Sequence, residues 1–138
     1  MSDDDILQWL NAQWPPSVNT LNGKGIAFRR ESTTLEMTFS SGLEFCHSGD
    51  IVQGGYITAM LDAAMAYAVI GAEDNCDGVA TLEIKANFIT VARNGDFNAV
   101  GKAVHVGGSI AYLEGQLFQQ GKLVATATST VKLLRRKI

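Results

Sequence analysis

Residues 56 to 70 form a stretch with apolar side chains on nearly every face of a helix, broken by a single charge at Asp62. A helix that is apolar all round has to be covered all round. Ala59, Ala63, Ala64, Ala66 and Ala68 are small enough to let other backbone approach closely. Such a helix does not lie on the surface of a sheet; something wraps it. Gly54-Gly55 precede it, and Glu73 to Gly78 read as the turn that follows.

The rest of the chain supplies the wrapping. Residues 79 to 91 alternate as a strand, with Leu82, Ile84, Ala86 and Phe88 on one face and Thr81, Glu83, Lys85 and Asn87 on the other. Strands over 97–106, 110–119 and 123–133 follow, separated by Asn94-Gly95, Gly107-Gly108 and Gln120-Gly121. Turns this short imply an antiparallel meander. Ahead of the long helix, Asp3 to Asp5 can cap a first helix carrying Ile6, Leu7, Leu10 and Trp14, which Pro15 and Pro16 stop. Two short strands over 26–30 and 34–39 and a loop over 40–50 complete the order. The expected architecture is α+β, one antiparallel sheet curled around one central helix. It makes a single domain over 1–138, with an N-terminal helix and linker over 1–20 and a core over 25–133.

The chain has 138 residues, enough for one sizeable core. Apolar residues make up 46% and charged residues 18%, a globular balance, and a net charge of −3 gives no reason to expect nucleic acid. The only basic cluster, Lys132 with Arg135, Arg136 and Lys137, reads as a solvated terminus. Cys46 and Cys76 form no CxxC pair and no metal spacing with histidine. The acidic start is unlike a signal peptide, and Asp62 interrupts the one long apolar run, so no membrane partner and a cytoplasmic location are expected.

Asp62 is costly in such a helix unless it has a partner, a raised pKa or access to a cleft, which makes it the candidate catalytic group. The free N–H groups of a helix start, at Gly54 or Gly55, could polarise a carbonyl oxygen as an oxyanion hole does. Gly54 and Asp62 are eight residues apart, which is roughly 12 Å along a helix and roughly 80° around it. One chain would struggle to bring both to one carbonyl carbon. Two chains with helices side by side could do so, which points to a homo-oligomer with the site between subunits.

The long helix, its glycines and the four-strand meander resemble the hotdog-fold thioesterases, specifically the PaaI-like group related to the 4-hydroxybenzoyl-CoA thioesterases. The resemblance runs from about Leu35 to Leu133. The family pattern has an Asn, six residues later a His-Gly-Gly, and an acidic residue nine positions after that His. These positions hold His47, Gln53-Gly54-Gly55 and Asp62 here, so the Gly-Gly and the acid match while the Asn and His do not. The resemblance implies that Asp62 is the nucleophile or the general base, and that the Gly54 N–H holds the thioester oxygen. It implies that a hydroxyl at the start of the next strand positions the attacking group: Thr81 if one residue is inserted, whereas the ungapped match is Ala80. His47, Gln53 and Gly55 would contact substrate. The Gly107-Gly108-Ser109 turn would hold the CoA arm, and Arg93 and Lys102 could pair with its phosphates. Family members are dimers or tetramers with sites between subunits.

The implied reaction is hydrolysis of an acyl-CoA thioester, with CoA as part of the substrate and no metal or separate cofactor. Met60, Leu61, Met65 and Tyr67 would line an apolar pocket suited to an apolar or aromatic acyl group. The rival readings are a non-catalytic acyl-CoA binding protein and a hydratase or dehydratase on the same fold. The latter needs an acid–histidine pair, which Gln53 breaks. Cys46-His47 point apart in an extended loop, and His105 has no second ligand residue near it.

Overall fold

A computed structural model describes residues 1–136; Lys137, the last member of the basic cluster, lies outside them. The first helix, α1 (Asp3–Asn11), starts at Ser2. The Ser2 hydroxyl accepts from the Asp5 N–H, and the Asp5 carboxylate accepts in return from the Ser2 N–H. This capping box, rather than an aspartate cap, begins the helix. Pro16 does not merely stop it. It opens a second short helix, α2 (Pro16–Thr20), where its missing N–H costs nothing, so part of the expected linker is folded.

Strands β1 (Lys24–Arg29) and β2 (Thr34–Ser41) form a hairpin. A 3-10 turn (Leu43–Phe45) and a two-stranded ribbon, β3 (Cys46–Ser48) with β4 (Ile51–Val52), lead into α3 (Gly54–Ala72). Four more strands follow, β5 (Cys76–Phe88), β6 (Gly95–Val106), β7 (Ile110–Gln119) and β8 (Lys122–Arg135); of the expected four-strand meander only β6-β7-β8 pair in sequence, because the connection over 89–94 crosses over rather than turning back, so that β5 lies beside β8 and β6 beside β2. Six strands make one antiparallel sheet in the order β1-β2-β6-β7-β8-β5, with α3 packed on it. This is the hotdog arrangement.

The sheet grips one face of α3. Ile57, Met60, Leu61, Ala64, Met65, Ala68 and Val69 are essentially without exposure, and each large side chain among them stabilises the fold by about 1.5–3 kcal/mol. The helix sits low because β6 and β7 carry Gly101 and Gly115 beneath it. A Cβ on Gly101 would strike the Ala64 carbonyl, and one on Gly115 would lie 3.1 Å from Met65. The opposite face, with Ala59, Asp62, Ala63, Ala66 and Tyr67, is only half-buried. A single chain thus does not cover the helix all round as its composition demands. Among the described residues α3 is also the one helix long and apolar enough to cross a membrane, and it is the core helix.

Alternation in β5 does not run straight through. Val79 pairs with Leu133, Thr81 with Val131, Ile84 with Ser129 and Ala86 with Ala127. All four partners are buried, so all four β5 residues face the helix. Leu82 is the extra residue of a bulge between Thr81 and Glu83. It is 59% exposed instead of sharing a face with Ile84, and Thr81 faces inward rather than outward.

Candidate active site

The bulge brings a hydroxyl to the acid. Thr81 Oγ1 donates to Asp62 Oδ1 at 3.1 Å. Among the described residues no cation forms an ion pair with Asp62, and Thr81 is its one side-chain partner. Burial raises the Asp62 carboxyl above its ordinary value, and the Thr81 hydrogen bond opposes that rise. Asp62 is therefore a desolvated carboxylate held in place by one neutral donor, more basic than a free one.

Gly54 and Gly55 form the first turn of α3, with Gln53 as N-cap and no side-chain cap bond. The Tyr56 N–H turns back to the Gln53 carbonyl. Among the described residues no group accepts from the Gly54 or Gly55 N–H. Two amides at the positive end of a long helix are thus free for an oxygen from outside the chain. The Phe88 ring lies against Gly54, where a Cβ would meet Cζ at 3.0 Å. Pattern reading missed Phe88, because a residue at the end of a strand carries no signal of what it touches.

The amides and the acid open on different hollows. Gly54 borders one of about 350 Å³ with His47, Ile57, Phe88 and Val91. Asp62 borders another of about 360 Å³ with Val18, Tyr56, Ala63 and Tyr67. His47 is exposed, with Nδ1 2.7 Å from Ser48 Oγ, and Gln53 is exposed at the helix start. Arg93 lies at the same end, bound to Asp50 at 2.6 Å. Gly108 and Ser109 lie at the other end of α3: the Gly108 carbonyl accepts from Arg135, which also reaches Glu73 just beyond the helix. The helix has 19 residues, so about 27 Å separates its ends. Within one chain, then, Asp62 meets Thr81; His47, Gln53, Gly54, Gly55 and Arg93 gather at one end; and Gly108 and Ser109 stand apart.

Three expectations change. Met60, Leu61 and Met65 face the sheet with no exposure, so of the expected pocket residues only Tyr67 lines a hollow. That hollow's second wall is α2, read from sequence only as a stop. Lys102 follows inward-facing Gly101 and lies on the far face of the sheet, beside Glu114 and Thr128. Among the described residues no three His, Cys, Asp or Glu side chains converge as a metal site. Burial raises both cysteine thiols, so neither is poised as a thiolate.

A central helix on a curled antiparallel sheet, opened by free glycine amides and carrying one desolvated acid, defines a protein of the hotdog thioesterase class. The chain belongs to the thioesterase superfamily, whose family model matches residues 49–126. A candidate esterase of Saccharolobus solfataricus is 29% identical over 119 residues, covering 86% of this chain and 83% of that protein. The structure of a candidate thioesterase from Ralstonia eutropha, described as a phenylacetic acid degradation-related protein, is similar at 29% identity. The match covers 95% of this chain and 99% of that one, with a TM-score of 0.86. A Streptococcus mutans protein solved with acetyl-CoA bound has the same fold at 19% identity. It covers 85% of this chain and 92% of that one, with a TM-score of 0.74.

Proposed function

We propose that the chain hydrolyses acyl-CoA thioesters to a free acid and CoA, at a site shared between two copies. The observation that carries this reading is the Asp62 carboxylate, half-buried in an apolar setting and oriented by the Thr81 hydroxyl at 3.1 Å. Acetyl-CoA bound to a structural neighbour supports a CoA thioester as ligand. The Gly54 and Gly55 amides receive the thioester oxygen, where charge develops. Asp62 takes a proton from water as the water oxygen bonds to the carbonyl carbon, or attacks that carbon itself. The carbon–sulfur bond then breaks and the thiolate leaves as CoA, taking up a proton; where Asp62 itself has attacked, the acyl anhydride left on it is then hydrolysed by water, which releases the acid and restores the carboxylate. The sum is thioester plus water giving acid plus thiol, with no separate cofactor.

The shared site rests on β5. It is the edge of the sheet, so among the described residues one side of its 13-residue ladder has no strand beside it. Leu82 and Phe88 stand exposed along it at 59% and 58%. Long exposed edges invite a further strand. A second copy paired antiparallel there lays the two α3 helices side by side in opposite directions. Its Gly108 and Ser109 then approach this chain's Gly54, His47, Gln53 and Arg93, where they can hold the CoA arm. The assembly is a dimer or a pair of dimers.

The test is thiol release across a panel of acyl-CoAs, with Asp62→Ala as control. The variant is expected to lose at least about 100-fold, the scale of a general base. Binding of CoA esters with no release from any would replace hydrolysis by the binding-protein reading, which Gln53 at the family's histidine position favours.

A further inference from the structure

We propose that Ser129 is a positioning residue for the Asp62–Thr81 pair: its buried hydroxyl, bound to the Glu83 carbonyl, fixes the bulge in β5 that turns Thr81 toward the acid. The proposal deepens the thioesterase reading and rests on it for the effect on rate, not for the geometry.

Ser129 is out of place by composition. The buried residues of β8 are Val124, Ala125, Ala127, Ser129, Val131 and Leu133, and Ser129 alone among them is polar. With Thr34 it is one of two buried polar side chains among the described residues, at 4% exposure. A hydroxyl taken out of water has to find a partner. This one donates across the ladder to the Glu83 carbonyl at 3.0 Å.

Glu83 is where the ladder resumes after the bulge. Thr81 is paired with Val131 and Glu83 with Thr130, so Leu82 has no partner residue on β8. Ile84 comes next, directly opposite Ser129. The bond from Ser129 back to Glu83 therefore grips β5 immediately after its extra residue. A bulge disrupts the ladder locally, and one step of register exchanges the two faces of a strand. With Glu83 gripped, the extra residue falls at Leu82 and Thr81 keeps its side chain toward the helix.

The pair at stake has little to spare. Thr81 Oγ1 lies 3.1 Å from Asp62 Oδ1, long for an O–H donor, so a small rotation of the strand at Thr81 breaks the bond. No charge stands in for it among the described residues. The polar residues lining the hollow beside Asp62 are Ser17, Thr20, Tyr56 and Tyr67. Glu83 and Lys85 of β5 are exposed on the other side of the sheet, opposite Thr130 and Thr128.

The experiment follows Asp62 directly, by carboxyl-carbon NMR of protein labelled at aspartate, with Asp62→Asn to assign the signal. The titration is run on wild type, Thr81→Ala, Ser129→Ala and the double variant. Ser129→Cys, close in size but with only a weak S–H donor, is a second probe of the same bond. Losing the Thr81 donor removes what lowers the Asp62 pKa. Ser129→Ala and Ser129→Cys are therefore expected to shift the midpoint to higher pH, as Thr81→Ala does. The double variant should match Thr81→Ala rather than add to it. Thiol release from acyl-CoA is read alongside. A misplacement of about 1 Å can cost about 100-fold in rate, so kcat in Ser129→Ala should fall by about ten- to 100-fold, with KM within about two-fold of wild type. Leu133→Val, a buried change on the same strand, should lower the melting temperature and leave the Asp62 midpoint alone. Midpoints in both Ser129 variants that coincide with wild type overturn the proposal. So does a double variant that shifts further than Thr81→Ala, or a Leu133→Val midpoint that moves as far as that of Ser129→Ala, since general loosening would then account for both. If wild type releases no thiol, the thioesterase reading falls, while the titrations still decide the role of Ser129.

Discussion

Replacing Gly101 by alanine should cost more than the same change at any other glycine of this protein. Gly101 lies in β6 directly beneath α3, and its added Cβ would strike the carbonyl carbon and oxygen of Ala64 and lie 2.5 Å from Met65 N. Carbon atoms rest comfortably at about 3.5–4.0 Å. The obstacle is helix backbone rather than a side chain that can rotate, so α3 must rise by about 1 Å or more. A gap of that size removes about a quarter to a half of the dispersion energy of each contact it opens. Leu61, Ala64, Met65 and Ala68, all fully buried, would share the loss. Overpacking commonly costs about 1–3 kcal/mol, and backbone against backbone belongs at or above the top of that range. For a chain of 138 residues this is a fall in Tm of roughly 10 °C or more. The assay is thermal and urea unfolding followed by circular dichroism, with Gly108→Ala as control. Among the described residues nothing beyond its two chain neighbours lies within 4 Å of a Cβ at Gly108, so that variant should stay within about 0.5 kcal/mol of wild type. A Gly101→Ala protein within 3 °C or so of wild type would refute the claim that the helix rests on this glycine.

Other expectations follow from the acid and the edge strand. The raised folded pKa of Asp62 means that its contribution to stability is present below its ordinary value of 3.8 and lost as pH rises through the folded value. Asp62→Asn should therefore melt higher than wild type near pH 7 and lose that advantage in acid, in melts taken as a function of pH. Because the base must be ionised, the acid limb of the wild-type kcat/KM profile should lie above 3.8. Thr81→Ala removes the one bond that lowers the Asp62 pKa, so this limb should move to higher pH, and Thr81→Ser should restore it. Leu82→Lys places a charge on the free edge of β5. It should shift sedimentation toward the monomer and reduce thiol release in parallel; full activity in a monomer would remove the shared site.

Much of this was legible in the sequence because it depends on periodicity. The long helix and the run β6-β7-β8 follow from where apolar residues recur and where glycines interrupt them; the place of β5 beside β8, and of β6 beside β2, does not, since periodicity carries no sign of a crossover. Asp62 stood out as a charge that an apolar helix does not tolerate without reason. What stayed hidden depends on placement in space. Alternation through β5 put Thr81 on the wrong face, since nothing local marks Leu82 as an extra residue. Met60, Leu61 and Met65 were expected in a pocket because an apolar helix offers no sign of which stripe the sheet takes; Gly101 and Gly115 settle that from strands far along the chain. The wall made by α2 was hidden behind two prolines that end one helix and also begin the next.

The bulge at Leu82 also governs how this strand tolerates a change of length. Thr81 and Ile84 face the same way with two residues between them, one more than plain alternation needs. Deleting Leu82 leaves Thr81, Glu83 and Ile84 in regular order, with the hydroxyl still toward Asp62. Drawing Leu82 into the ladder instead turns Ala80 inward and Thr81 outward, because one step of register exchanges the two faces of a strand. The acid would then face a methyl group in place of its donor, although no residue had been changed. Its hydroxyl partner is specified by a count of residues as much as by their identity, and Leu82 is where that count has one to spare.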